Sequence, residues 1–160
     1  MDDRKAEKNA LSALALAYSR LGQTQKAIQF FQEQLIISQE LGDFNEICSL
    51  LANLGDAYAV SGNIDRAKSY YEEQLTLAEL KGLSVFVGSS YNGLGHVFVK
   101  KEKIPEAIDC YLKALENYRE LEDHDKQLEL LVGIGLNHYK LEQWEKTIEY
   151  LRPALDAAKY

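Results

Sequence analysis

Apolar side chains recur three and four residues apart along the whole chain, the spacing that lines them up on one face of an α-helix. Ile47, Leu50, Leu51, Leu54 and Tyr58 form one such stripe, and Ile64, Ala67, Tyr71, Leu75 and Ala78 form the next. The stripes break every 20 residues. Gly22, Gly42, Gly62 and Gly82 mark the breaks, and Glu102, Glu122 and Glu142 continue the same count. Glycine suits the left-handed residue that follows a helix end. Beyond the breaks, Thr24, Asp43, Asn63, Ser84 and Asp123 are residues of the capping type, and Glu46 after Asp43 completes most of a capping box. Pro105 fits a first helical turn, where its missing N–H is no loss. The pattern predicts eight helices, over about 4–21, 24–41, 43–61, 63–81, 84–101, 104–121, 123–141 and 143–159. Connections this short force successive helices antiparallel.

A second register sets the repeat at 40 residues. Ala15, Gly55, Gly95 and Gly135 are spaced by 40, as are Tyr18, Tyr58, Phe98 and His138, and Ala27, Ala67, Ala107 and Thr147. A fixed period in the range of about 20–50 residues marks a stack of like units. The expected organisation is one domain over 1–160, built from repeats at about 1–42, 43–82, 83–122 and 123–160.

Composition narrows the function. The formal net charge is −7, and by 40-residue segment it runs 0, −5, +1 and −3. Acidity of this kind argues against nucleic acid, whose phosphates call for a basic stripe. It suits a basic or neutral peptide. The longest apolar runs fall short of the ~18–20 residues of a membrane span, so no membrane insertion is expected. Cys48 and Cys110 lack metal-type spacing and read as reduced thiols of a cytoplasmic protein. HExxH, Walker and Gly-x-Ser-x-Gly motifs are absent from the sequence. His96, His124 and His138 lack the i, i+4 pairing a zinc site commonly uses, and His138 replaces an aromatic, which points to packing. Adjacent Glu72 and Glu73 point apart on a helix surface. The expectation is a protein that is not an enzyme, with no cofactor and no metal.

Each repeat places a small residue, an aromatic, a turn, an alanine and a second aromatic in fixed order. The second reads Leu54-Gly55-Asp56-Ala57-Tyr58, Gly62, Ala67, Tyr71; the first has Ala15, Tyr18, Gly22, Ala27 and Phe31; the third has Gly95, Phe98, Ala107 and Tyr111. Small residues let paired helices approach and aromatics fill the gaps. This order resembles the tetratricopeptide repeat, and the resemblance covers the whole chain. The fourth repeat departs, with His138, Thr147 and Leu151, yet keeps Ile134-Gly135 and Trp144. Forty-residue repeats carrying Leu41-Gly42-Asp43 and Asn53-Leu54-Gly55 are similar to the extended subclass that includes Pins/LGN, kinesin light chain and bacterial regulatory proteins. The resemblance implies an all-α fold, a right-handed α-solenoid of four helix-turn-helix repeats.

It also implies a groove lined by the first helix of each repeat, and with it a protein or peptide ligand. Projected onto this sequence, the groove takes Leu16 from the first repeat and Asn53, Asp56 and Val60 from the second. Asn92, His96 and Lys100 come from the third, and Val132, Leu136, Tyr139 and Lys140 from the fourth. The amides Asn53 and Asn92 each offer donor and acceptor to a peptide backbone. Asp56, His96 and Lys100 would add selectivity, with Tyr139 and Lys140 extending the surface. The family's chaperone-tail clamp uses cations and asparagines. At the corresponding positions stand Ser12, Leu16, Asn53, Ser89 and Gly93, and a carboxylate there would lack charge-assisted bonds. Chaperone-tail binding is therefore not expected.

A stack of this type exposes the packing face of its last unit unless something closes it. Leu151, Ala154, Leu155 and Ala158 form that face here. Three readings stand: a piece of a longer array, pairing with another copy as a homo-oligomer through the uncapped repeat, or a fourth repeat that is itself the cap. The alternative to the adaptor reading is thus a self-association or spacer segment of a larger regulatory protein.

Overall fold

The computed structural model describes residues 2–157, and its regular elements there are all helices. They are α1 (Asp2–Arg20), α2 (Thr24–Leu41), α3 (Phe44–Val60), α4 (Ile64–Lys81), α5 (Ser84–Lys100), α6 (Ile104–Glu120), α7 (His124–Lys140) and α8 (Trp144–Ala157). The boundaries agree with the sequence expectation to within two residues up to the end of α7. Ala158 and the last residues of the helix expected over 143–159 lie outside the described residues. Among the described residues no helix is long and apolar enough to cross a membrane.

The turns share one geometry, which explains the 20-residue count. In each, the residue at the break has positive φ: Gly22, Gly42, Gly62 and Gly82 at 67–82°, and Glu102, Glu122 and Glu142 at 59°, 54° and 57°. The next N–H reaches back to the carbonyl five residues earlier, as Gln23 does to Tyr18, Asn63 to Tyr58, Lys103 to Phe98 and Gln143 to His138, at 2.9–3.0 Å. The left-handed residue itself donates to the carbonyl three back, completing a Schellman turn. Three glutamates therefore occupy a conformation that disfavours a Cβ. Their side chains are exposed, so little is lost by removing them. Glu122→Gly is expected to raise stability by about 0.5–1 kcal/mol, relief of the left-handed penalty exceeding the extra entropy of the unfolded glycine. A urea melt showing unchanged or lower stability would sink that reading.

This turn also fixes the cap, one residue past the break. Asp43, Asn63 and Asp123 stand there, and their side chains accept from the N–H of Glu46, Arg66 and Lys126 at 3.0–3.2 Å. The expectation for Thr24 and Ser84 is corrected: both are the first residues of their helices, and Gln23 holds the cap position of α2 with no side-chain bond. Asp43 and Glu46 form half a capping box. Glu46 accepts instead from the Gln34 amide across the α2–α3 contact, at 2.5 Å. Pro105 lies in the first turn of α6 as expected.

The chain divides into two compact units, Met1–Phe86 and Val87–Tyr160. In the first, α1 pairs with α2, α2 with α3 and α3 with α4. Ile28, Phe31, Ile37, Cys48, Leu51 and Leu54 are buried there. Aromatic pairs tie each hairpin across its turn. Tyr18 stacks on Phe30 (centroids 5.4 Å apart, planes within 5°), and Tyr58 on Tyr70 (5.3 Å, 10°), with Lys26 and Arg66 over the Tyr18 and Tyr58 rings. In the second unit α6 packs on α7 and α7 on α8. Its core joins Ile108, Tyr111, Leu115 and Tyr118 of α6 to Leu130 and Ile134 of α7. His138 fills the aromatic position of this unit's last hairpin. It is buried, stacks on Tyr150 at 5.5 Å and sits 2.6 Å from the Gln143 side-chain oxygen through Nδ1. That is the packing role its register predicts.

Candidate functional site

Gly55, Gly95 and Gly135 each leave a space that a side chain from the following helix fills. A Cβ at Gly55 would stand 2.7–3.1 Å from the Tyr71 ring, and one at Gly135 would stand 2.6 Å from Leu151. At Gly95 the occupant is Tyr111. These tyrosines cross beneath the first helix, and their hydroxyls emerge beside the residue after the glycine. That residue is Asp56 in one unit and His96 in the other.

In the first unit the Tyr71 hydroxyl donates to the Asp56 carboxylate at 2.5 Å. Burial, reinforced by the neighbouring carboxylate, holds the Tyr71 hydroxyl well above the ordinary tyrosine range, so it stays a donor. Asp56 is exposed, Tyr71 is buried, and the carboxylate is anchored from below while its charge faces solvent. Asp56 and Asn53, one helical turn apart on α3, line a concavity of about 220 Å³ with Leu16, Phe31 and Val60. Leu16 is 48% exposed and Val60 76% exposed, so the walls of this hollow offer apolar surface around one fixed negative charge.

In the second unit the Tyr111 hydroxyl lies 3.1 Å from Nδ1 of His96, with the rings edge to face at 5.5 Å. Burial, with smaller contributions from Cys110 and Glu129, pushes the Tyr111 hydroxyl up to about 12. His96 is exposed, Asn92 half-buried and Lys100 exposed at the last turn of α5, and their spacing of four keeps them along one side of that helix. Tyr139 and Lys140 sit together at the end of α7. The Tyr139 ring meets Trp144 edge to face at 5.5 Å, and both are more than half exposed. Trp144 is thus part of this aromatic corner, a contact across a turn that only its nearness to Tyr139 in sequence could have suggested.

The structure therefore brings Asn53 and Asp56 into one hollow with Leu16 and Val60. It places Asn92, His96 and Lys100 on one helix side, and Tyr139 with Lys140 at another helix end. Sequence reasoning missed the tyrosine hydroxyls that hold Asp56 and His96. Their signal was the repeat register, since Asp56–Tyr71 and His96–Tyr111 share a separation of 15 residues. Cys48 and Cys110 are buried, and burial pushes the Cys48 thiol up, away from the reactive thiolate.

A family model described as tetratricopeptide repeat matches residues 4–80 and 86–159. No curated protein sequence matches the chain significantly. Among solved structures, BtubC (BKLC) from P. vanneervenii superposes with a TM-score of 0.83 at 24% identity, over 91% of this chain and 60% of that one. Aspartyl phosphate phosphatase F from Bacillus subtilis superposes with a TM-score of 0.92 at 16% identity, over 99% of this chain and 42% of that one. The nearly identical TPR-like repeats of a putative kinesin light chain from Podosopora anserina give 0.77 at 15% identity, over 93% and 74%. The chain spans about three fifths of the length of BtubC, and at these identities the likeness concerns the fold.

Proposed function

Because the chain belongs to the tetratricopeptide repeat family, we propose that it is a protein-binding module whose first helices take an extended or helical segment of a partner protein, and that it is not a catalyst. The observation that carries this reading is the hollow at Asp56: apolar walls from Leu16 and Val60, an amide from Asn53, and a carboxylate fixed in place by Tyr71. A pocket of that size holds one side chain of a partner. Its chemistry suits a lysine or arginine, whose methylene stem lies on the apolar wall while the charge meets Asp56. On the second unit, Asn92, His96 and Lys100 offer donors of their own to a polar or acidic stretch of a partner. The net charge of −7 favours a protein partner over nucleic acid. Two buried cysteines outside any disulfide, Cys48 and Cys110, accord with a reducing, cytoplasmic setting.

The test is retention of partners from lysate by the wild type, Asp56→Asn and Asp56→Lys, and by Lys100→Glu. Asp56→Asn keeps an acceptor for Tyr71 and removes only the charge. Each substitution is expected to weaken the retained complex about tenfold or more, as loss of a close charge pair does, with unchanged helicity. Equal recovery by all four proteins would overturn the groove assignment.

A further inference from the structure

The repeat register allows the exposed face of α1 and the exposed face of α8 to be compared with an interface that the second unit already contains. There, Ile108 and Leu115 of α6 share one buried cluster with Leu130 and Ile134 of α7, and Leu141 packs against it. Adding 40 to the α6 pair gives Ile148 and Leu155 of α8. The buried residues are 7% and 1% exposed, whereas their counterparts on α8 are 57% and 60% exposed. They border an open concavity of about 870 Å³ that also includes Val132 and Leu151. Subtracting 120 from the α7 set gives Ala10, Leu14 and Leu21 of α1, which are exposed, Leu14 at 43% and Leu21 at 68%. In the first unit α3 repeats the contrast: Leu54, the α1 Leu14 counterpart, is fully buried, and Ile28 of α2, the counterpart of Ile148, is 4% exposed.

One exposed face thus has the residue pattern that α6 uses to receive a helix, and the other has the pattern that α7 uses to be received. We propose that the occupant of the α7–α8 face is α1 of a second copy of this chain, so that copies associate head to tail. The contact is heterologous: Leu14 and Leu21 of one copy meet Ile148 and Leu155 of the next, just as Ile134 shares one buried cluster with Ile108 and Leu115 in the second unit and Leu141 packs against that cluster. It buries apolar surface that otherwise stays in water. This surface is separate from the Asp56 hollow, so its failure leaves the partner-binding reading untouched.

Sedimentation velocity and light scattering from micromolar to millimolar concentration test it, with Leu14→Glu and Leu155→Glu as variants. Both positions are exposed, and circular dichroism checks that each variant is folded. The wild type is expected to exceed the 18.1 kDa monomer mass increasingly with concentration. Each variant alone is expected to self-associate at least about tenfold more weakly, a charge now facing an apolar surface. Mixed in equal amounts, the two are expected to form a 1:1 complex that grows no further, because each supplies the face the other lacks. A wild type that stays monomeric overturns the proposal, as does a Leu14→Glu variant that still self-associates, since that would pair α8 with α8. A mixture that forms no complex, from variants that are each folded, overturns it as well.

Discussion

Ile134→Ala is expected to lower stability by about 4 kcal/mol, near the upper part of the range for deleting a buried branched side chain. Ile134 is fully buried in the cluster that joins α6 to α7. Its neighbours there include Tyr111 and Tyr118, rigid rings that have few rotamers with which to collapse into the space. The loss therefore combines transfer of the removed methyl groups with the void they leave. Trp144, the only tryptophan, stands against Tyr139 in the same unit, so its fluorescence in a urea series reports the event directly. Ile134→Val sets the scale at about 1 kcal/mol. A midpoint shift for alanine no larger than for valine would mean that the α6–α7 contact gives way without consequence, and would remove the basis for comparing it with the exposed faces of α1 and α8.

The second large effect is expected at Gly95→Val, a loss of about 3 kcal/mol from overpacking. A Cβ there would lie 2.8 Å or less from three ring atoms of Tyr111. That ring is 3% exposed and belongs to the same core cluster, so it has no free direction to move. Valine adds two methyl groups and little helix propensity to offset the clash. The double variant Gly95→Val/Tyr111→Ala is expected to be less destabilised than the sum of its parts, because removing the ring removes the conflict. Strict additivity in that cycle would show that the ring does not occupy the space Gly95 leaves. The substitution also bears on the surface above, since a displaced Tyr111 no longer meets His96.

Tyr71 and Tyr111 connect these energetics to the site. In both, a glycine opens the helix interface, a tyrosine fills it, and the hydroxyl surfaces beside a residue of opposite chemical character. Changing that exposed residue changes what a partner meets, while the glycine–tyrosine contact below stays constant. One packing solution thereby presents an acid at Asp56 and an imidazole at His96.

Much of this was legible beforehand because the backbone requirements are local. A left-handed residue must follow each helix end, glycine meets that need most easily, and four glycines in register expose the period. The glutamates at 102, 122 and 142 keep the period with a different residue type because their side chains are exposed and only the backbone bears the strain. Capping was read less well. Thr24 and Ser84 have the right chemistry but stand one residue too far on, and the Schellman turn, not residue preference, sets where the cap falls.

The sequence by itself determined the helices, their order and pairing, the family and the side of each helix on which Asn53, Asp56, Asn92, His96 and Lys100 sit. Those properties follow from spacing along one helix and from turn chemistry within a few residues. Only the tertiary structure decided that Tyr71 anchors Asp56, that Tyr139 meets Trp144, that Glu46 bonds Gln34 instead of closing its own cap, and that Leu14 stays exposed while its register equivalent Leu54 is buried. Each of those depends on which side chains of separate helices come within contact distance, and residue spacing along a single helix does not carry that information.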